Sequence, residues 1–451
     1  MNIIVLMLDS LRQDHVSYYG WDGCPLTTPN IDAVAAEAVV FDNIYPEGLP
    51  TIPVRTDLMT GQSSLTNRTW QPLVPTDVTA AEIFAKEGYL TALVADTYHL
   101  FKPNMNFHKG FDVFHWIRGQ EYDSISAGPL KHLRLEDHIT PGIPTYWLSS
   151  VHKCLQNLDD RLAPADFPCW QTIEKSLEIL NQARQSQRKL FLWLDTFEPH
   201  EPWCPPAEFD IYGDPNYTGP KVIMPPGGPA AKWGDDGVTN RTRSLYAGEA
   251  AFTDHCLGHL FDGIRQMGYF DDSLIVILSD HGHPLGDHGK FLKGGDRMYS
   301  ELLKVPFIVR LPGGEHGGRR VQTLGRFPDL LPTLLDTAGF GEATMSMAGR
   351  SLKPVLYGHD VTLYPATVSG FFPTTMRCIR TQQHSLFLGA EGDTDELYDL
   401  HADPRERTNI IGHAGDLAAK MVKLISPIYL GQRTQPRGVQ GSMEVADTSL
   451  D

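Results

Sequence analysis

One pattern constrains the fold of this chain more than any other: short unbroken apolar runs of strand length, each stopping at a polar or charged residue. Ile3 to Leu8 stops at Asp9, Thr91 to Ala95 at Asp96, Leu190 to Leu194 at Asp195, Leu274 to Leu278 at Ser279 and Asp280, and Val305 to Val309 at Arg310. A continuous apolar run, unlike an alternating one, buries both faces of its strand, which requires a mostly parallel sheet covered by helices on each side. Candidate helices run from Asn30 to Ala38, Thr79 to Glu87, Cys169 to Gln187 and Tyr246 to Met267. The expected fold is therefore α/β, a large mixed and mainly parallel sheet sandwiched by helices. In such sheets the functional crevice lies beyond the carboxyl ends of the strands. Asp9, Asp195 and Asp280 fall there, so three carboxylates are expected to converge.

Two stretches break the pattern. Residues from about 116 to 167 read as loop-rich, and residues 202 to 237 are dense in proline and glycine; both are expected to pass over the active face. From about Val368 the short segments Met376 to Thr381 and Ser385 to Leu388 read as strands, followed by an acidic turn and a helix near Leu417 to Ile425. This predicts a catalytic α/β domain over residues 1–365 and a small C-terminal α+β subdomain over 366–451, frayed after Thr434.

Charge narrows the class of partner. The 451 residues carry a formal net charge of −17, which repels a nucleic-acid backbone or an anionic membrane surface on average. The start, Met1-Asn2-Ile3-Ile4-Val5-Leu6-Met7-Leu8-Asp9, lacks a basic region and its apolar run is too short for a secretion signal, and no eighteen-residue apolar stretch occurs. Six cysteines without a paired CxxC spacing suggest reduced thiols. The expectation is a cytoplasmic protein acting on a small molecule, with neither nucleic acid nor membrane as partner; self-association is left open.

Four places carry candidate chemistry. Asp9 and Asp195, taken singly, read as helix caps after strands. In Leu278-Ser279-Asp280-His281-Gly282 a carboxylate and an imidazole adjoin at a strand end, followed by a glycine that permits close approach, and this points to metal ligation. In Thr51-Ile52-Pro53-Val54-Arg55 a hydroxyl at a first helical turn would be polarised by the helix N-terminus and by an ion held by Asp9 and Asp280. A Thr cap followed by proline and a surface arginine fits the local residues equally well.

Taken together the segments resemble the sulfatase-type family of the alkaline phosphatase superfamily. The matching stretches are Asn2 to Arg12, Thr28-Pro29-Asn30-Ile31-Asp32, Thr51 to Gly61, Pro199-His200-Glu201-Pro202, Ser279 to Gly289 with Lys293, Asp329-Leu330-Leu331-Pro332-Thr333, and Glu396-Leu397-Tyr398-Asp399-Leu400 with Asp403-Pro404 and Glu406. They span nearly the whole chain in the family's order. Departures refine what the resemblance implies. Where this chain has Thr51, sulfatases have a Cys or Ser that is oxidised to formylglycine; threonine, with a methyl on its β-carbon, cannot give that aldehyde. Thr97 stands where sulfatases usually keep a lysine, and His281 resembles the phosphonate monoester hydrolase and phosphodiesterase branch.

The resemblance implies a hydrolase of phosphodiesters or phosphonate monoesters with Thr51 as nucleophile. It implies one divalent ion, Mn2+ or Zn2+, bound by Asp9, Thr51, Asp280 and His281, with Ser10 a weak additional ligand. Arg55 and Lys293 would stabilise the attacked anion, His200 would assist the leaving group, and Asn67, Thr97 and His99 would hydrogen-bond the substrate. A second ion at Asp195, His200 and His288 is the less favoured arrangement. Lys290 and His283 receive no role and read as solvated loop residues. The alternatives are a sulfuric ester hydrolase working without formylglycine, and a noncatalytic anion-binding pseudoenzyme.

Overall fold

The computed structural model describes residues 1–25, 27–431 and 433–438. In chain order its strands are β1 (Asn2–Leu8), β2 (Val39–Tyr45), β3 (Gly48–Leu49), β4 (Leu90–Ala95), β5 (Val113–Trp116), β6 (Leu190–Thr196), β7 (Gly228–Pro229), β8 (Ser273–Ser279), β9 (Lys290–Phe291), β10 (Phe307–Arg310), β11 (Arg319–Arg326), β12 (Thr367–Phe371), β13 (Arg377–Arg380), β14 (His384–Leu388) and β15 (Glu396–Asp399). The first six α-helices are α1 (Pro29–Ala35), α2 (Thr51–Thr60), α3 (Ala80–Lys86), α4 (Thr145–Leu158), α5 (Pro168–Ser186) and α6 (Asp236–Gln266).

Eight strands form one mixed sheet in the order β11-β2-β10-β8-β1-β6-β4-β5. Its centre shows why continuous apolar strands are needed. Every residue of β1 is buried, and alternate residues enter different cores: Ile3, Val5 and Met7 pack with α2 and α3 on one face, while Ile4, Leu6 and Leu8 pack with α1, α5 and α6 on the other. Helix α3 opens with a capping box, Thr79 accepting from the backbone of Glu82 and Glu82 accepting from the backbone of Thr79.

The parallel reading holds for β1, β4, β6 and β8 but not for the run at Val305. That strand begins at Phe307 and lies antiparallel to both β8 and β2, so Arg310 ends up remote from the carboxylates, paired with Glu37. The loop-rich reading of 116–167 is also corrected. It contains the fourteen-residue helix α4, whose Val151, Cys154, Leu155 and Leu158 pack with Trp203, Ile223 and Tyr246. Strands β12 to β15 continue onto β3, giving a five-stranded sheet in which Gly370 and Phe371 pair with Gly48 and Leu49, just before α2. The Gly415–Lys423 helix covers this sheet. A fully buried Arg380–Glu406 pair, with Glu406 also accepting from the backbone of Ser300, ties this sheet to the short helix Ser300–Leu303. Past Thr434, Arg437 is anchored to Asp395 and to the Ala390 carbonyl, whereas residues 439–451 of the segment expected to fray lie outside the described residues.

Candidate active site

Sheet register brings the carboxylates together. Leu8 pairs with Thr196 on one side and with Ser279 on the other, so Asp9 and Asp280 leave neighbouring strands at the same level, with Asp195 opposite Met7. The backbone N–H of Ser10 donates to Asp280 at 2.9 Å while its hydroxyl donates to Asp9 at 2.8 Å, and this close turn holds Ser10 at a φ of 66°. Glycine is required at 282, because a β-carbon there would meet the Glu301 carbonyl oxygen at 2.1 Å.

Asp9, Asp280 and His281 each offer a donor atom within 4.8 Å of the others, and all three are wholly buried. His281 Nδ1 lies 2.9 Å from the Gly282 carbonyl, so Nδ1 carries the proton and Nε2 bears the lone pair. Burial lowers the His281 pKa to about 4, keeping the ring neutral. Burial and the adjacent Asp280 raise Asp9 well above the carboxylate range, whereas His281 and Arg55 overcome burial to hold Asp280 at about 2. Asp9 Oδ2 accepts no hydrogen bond and has only an ion-pair contact with Arg55 at 3.1 Å. An orphaned carboxylate oxygen beside a lone-pair imidazole nitrogen fits a divalent cation of the oxygen- and nitrogen-binding kind.

Thr51 is the first residue of α2, and its Oγ1 stands 3.4 Å from His281 Nε2. One turn on, Arg55 departs from expectation. Its guanidinium is fully buried and turned onto Asp9, Asp195 and Asp280, with a further bond to the Thr51 carbonyl at 3.4 Å. Asp195 and Asp280 accept from its Nε, Nη1 and Nη2, while Asp9 Oδ2 meets Nη2 as an ion pair at 3.1 Å. Thr97, expected on the substrate, is buried and donates to Asp195 at 2.6 Å.

A second group faces the cluster from the loops. Lys293 Nζ lies 2.5 Å from His200 Nε2 and 3.5 Å from Glu201 Oε1. His200 Nδ1 is 2.7 Å from the Glu201 carbonyl; the imidazole therefore donates through Nδ1 and accepts the lysine's proton at Nε2. Burial and Lys293 push its pKa well below the usual value. His99 packs edge-on against Trp70 with Nε2 3.9 Å from Glu121, and its Nδ1 has no hydrogen-bond partner. Asn67 is exposed in the turn after α2, its backbone bonded to Ser64, and is not brought to this group.

The Asp195, His200 and His288 set does not form. Both Asp195 oxygens are taken by Arg55, and the His288 nitrogens are bound to Glu301 and to the Glu406 carbonyl, each at 2.8 Å. Lys290 pairs with Asp296, while His283, read as solvated, is wholly buried. Glu121 and Glu201 had not been singled out from sequence. Glu201 lies within the Pro199-His200-Glu201-Pro202 stretch, whereas nothing near Glu121 announces it.

Buried carboxylates and a neutral imidazole at the carboxyl ends of sheet strands, beneath a hydroxyl at a helix N-terminus, define an α/β hydrolase of the alkaline phosphatase superfamily, acting on ester bonds. The chain belongs to the sulfatase family: the model described as "Sulfatase" matches residues 1–340. A second model, "N-sulphoglucosamine sulphohydrolase, C-terminal", matches residues 286–427. An arylsulfatase of Clostridium perfringens is 26% identical, with 91% of this chain and 90% of the relative aligned. A multifunctional alkaline phosphatase superfamily protein of Trinickia caryophylli is 23% identical, with 91% of each covered. In fold the chain is similar to the phosphonate monoester hydrolase of Agrobacterium radiobacter, at a TM-score of 0.72 and 21% identity over 94% of this chain and 93% of that one. No helix among the described residues is long and apolar enough to cross a membrane.

Proposed function

We propose that this chain hydrolyses phosphodiesters or phosphonate monoesters with Thr51 as nucleophile, through a phosphothreonine intermediate. The observation that supports this reading is the hydroxyl of Thr51, at the start of α2 and 3.4 Å from His281 Nε2. A threonine cannot become formylglycine, so Thr51 attacks through its own unmodified oxygen on this reading. The positive end of α2 favours charge developing on that oxygen. A divalent ion, Mn2+ or Zn2+, held by Asp9, Thr51, Asp280 and His281 would acidify the hydroxyl and polarise a phosphoryl oxygen.

Thr51 Oγ1 gives up its proton to solvent and bonds to phosphorus as the bond to the leaving oxygen breaks. Lys293 supplies that oxygen's proton, because His200 Nε2 is already an acceptor and its Nδ1 proton is committed to Glu201. His200 and Glu201 thus hold the ammonium in place. Water then cleaves the phosphothreonine. Arg55 and Thr97 act at one remove, holding Asp195 and Asp280 in orientation, and His99 offers its unpartnered Nδ1 to the substrate.

With Thr97 uncharged, one fewer cation meets the substrate than in a lysine-bearing sulfatase. A monoanion should therefore be favoured over a dianion. Assay of the metal-loaded protein tests this: kcat/KM should be higher for bis-p-nitrophenyl phosphate or a phosphonate monoester than for the dianion p-nitrophenyl phosphate; p-nitrophenyl sulfate, itself a monoanion, is disfavoured instead because Thr51 cannot form the aldehyde hydrate that sulfatases use. A second reading, hydrolysis of a sulfuric ester without formylglycine, is supported by the sulfatase model over residues 1–340, and preference for the sulfate ester in the same panel would establish it.

A further inference from the structure

Beside the Asp9 cluster lies a second set of donors, of which the proposed reaction uses His200 and Glu201 to hold Lys293 and leaves the others without a role. Glu121, His200 and Glu201 each present one ligand-type atom within 4.8 Å of the others, and the three residues are 5 to 7% exposed. They come from three places: Glu121 from the excursion after β5, and His200 and Glu201 from the turn after β6, facing the loop after β8 that carries His283. His283 is 0% exposed, and neither of its ring nitrogens has a hydrogen-bond partner. Its Nδ1 points to Glu201 Oε2 at 3.5 Å, and that oxygen also lacks a hydrogen bond. A buried imidazole with two unsatisfied nitrogens beside an unsatisfied carboxylate oxygen is costly unless something binds between them.

We propose that Glu121, His200, Glu201 and His283 form a second divalent-cation site, for which the Lys293 ammonium is the built-in competitor.

The electrostatics agree with the geometry. Burial, and after it the neighbouring Glu201, push Glu121 up to about 8, the direction expected for a carboxylate that lacks a compensating cation. Lys293 provides a single positive charge, at His200 Nε2 and Glu201 Oε1. His200 Nε2 bears the lone pair, since Nδ1 is committed to the Glu201 carbonyl, so a metal and the ammonium compete for the same nitrogen. Two imidazoles with two carboxylates suit Zn2+ or Mn2+ better than Ca2+. Occupation would expel the ammonium from His200. On the reading of Lys293 as proton donor to the leaving group, the second ion would inhibit turnover.

Binding is measured without substrate, so its outcome is independent of the hydrolase reading. Full-length protein is equilibrated with increasing Zn2+ by dialysis and the bound metal determined by elemental analysis. Wild type should take up a second equivalent, the Glu121→Gln/Glu201→Gln variant should retain only the first, and Lys293→Met should bind the second at least about tenfold more tightly. Retention of the first equivalent shows that the double variant is folded; should it be lost, His283→Gln, which keeps both carboxylates, decides, with a weakened second equivalent expected. A second equivalent retained by the double variant, an affinity unchanged in Lys293→Met or His283→Gln, or one equivalent in both wild type and Lys293→Met overturns the proposal.

Discussion

The hydroxyl of Thr51 stands 3.4 Å from Nε2 of His281, the ring nitrogen that the Gly282 carbonyl leaves without a proton. A nucleophile in this position depends on its oxygen alone. Thr51→Ala should lower kcat roughly 10³-fold or more, while Thr51→Ser keeps much of the activity and both retain the native circular dichroism spectrum. Mass spectrometry of protein quenched during turnover of a slow diester should find phosphate on the peptide containing Thr51; full activity in Thr51→Ala would rule the residue out.

Among the described residues Arg55 is the only guanidinium paired with Asp9, Asp195 and Asp280, and all four side chains are fully buried. Its removal leaves uncompensated charge in the core. Arg55→Met should cost about 3–5 kcal/mol in urea unfolding measured with chelator present. Added Mn2+ should recover part of the loss, since it supplies positive charge to the same carboxylates.

Chelation alone should act in the same direction. Because the ion binds the folded site and not the unfolded chain, wild type saturated at 100 times its dissociation constant should lose about 2.7 kcal/mol on metal removal. Activity should fall in parallel. A melting temperature indifferent to chelator, in a preparation shown to contain metal beforehand, would contradict this.

Lys293 and His200 make a proton-transfer prediction that depends on the leaving group. Nitrophenolate needs little protonation and an alkoxide needs much. Lys293→Met should therefore slow alkyl esters by about 10²-fold or more while affecting nitrophenyl esters far less. An equal effect on both would assign Lys293 to charge stabilisation.

His288 carries a stability signature away from the reaction. Burial alone would lower its pKa, but its bond to Glu301 and its approach to Glu406 outweigh that and raise it from 6.5 to about 9. The charged groups around it are Glu301, Asp287, and Glu406 with its partner Arg380, and Tyr299 stacks on the ring. Since the folded state binds the proton more tightly, the stabilisation is fully present below pH 6.5, declines as pH rises, and is gone above about 9. Urea midpoints of wild type and His288→Gln should differ at pH 6 and converge near pH 10.

How much of this was legible without coordinates follows from which interactions are local. The apolar runs at Ile3, Leu190 and Leu274 mark central strands because burial on both faces leaves no room for alternation. Strand β2, interrupted by Asp42 and Asn43, and β11, with alternately exposed residues, carry no such run and went unread. Helix α4 was obscured by the proline-rich and aromatic sequence around it, although its apolar residues follow helical spacing.

By itself the sequence determined the α/β class, the ends of the central strands, and therefore the meeting of Asp9, Asp195 and Asp280, because strand period and polarity are encoded residue by residue. It also determined that residue 51 is a threonine with no route to an aldehyde. Tertiary structure alone decided what each charged group faces. Arg55 turns inward because three carboxylates from separate strands surround it. Thr97 is spent on Asp195, and Glu121 meets His200 and Glu201 across about eighty residues of chain. Partner choice among buried charges is settled by distance and desolvation, which depend on loops folding back over the sheet and leave no mark on the local sequence.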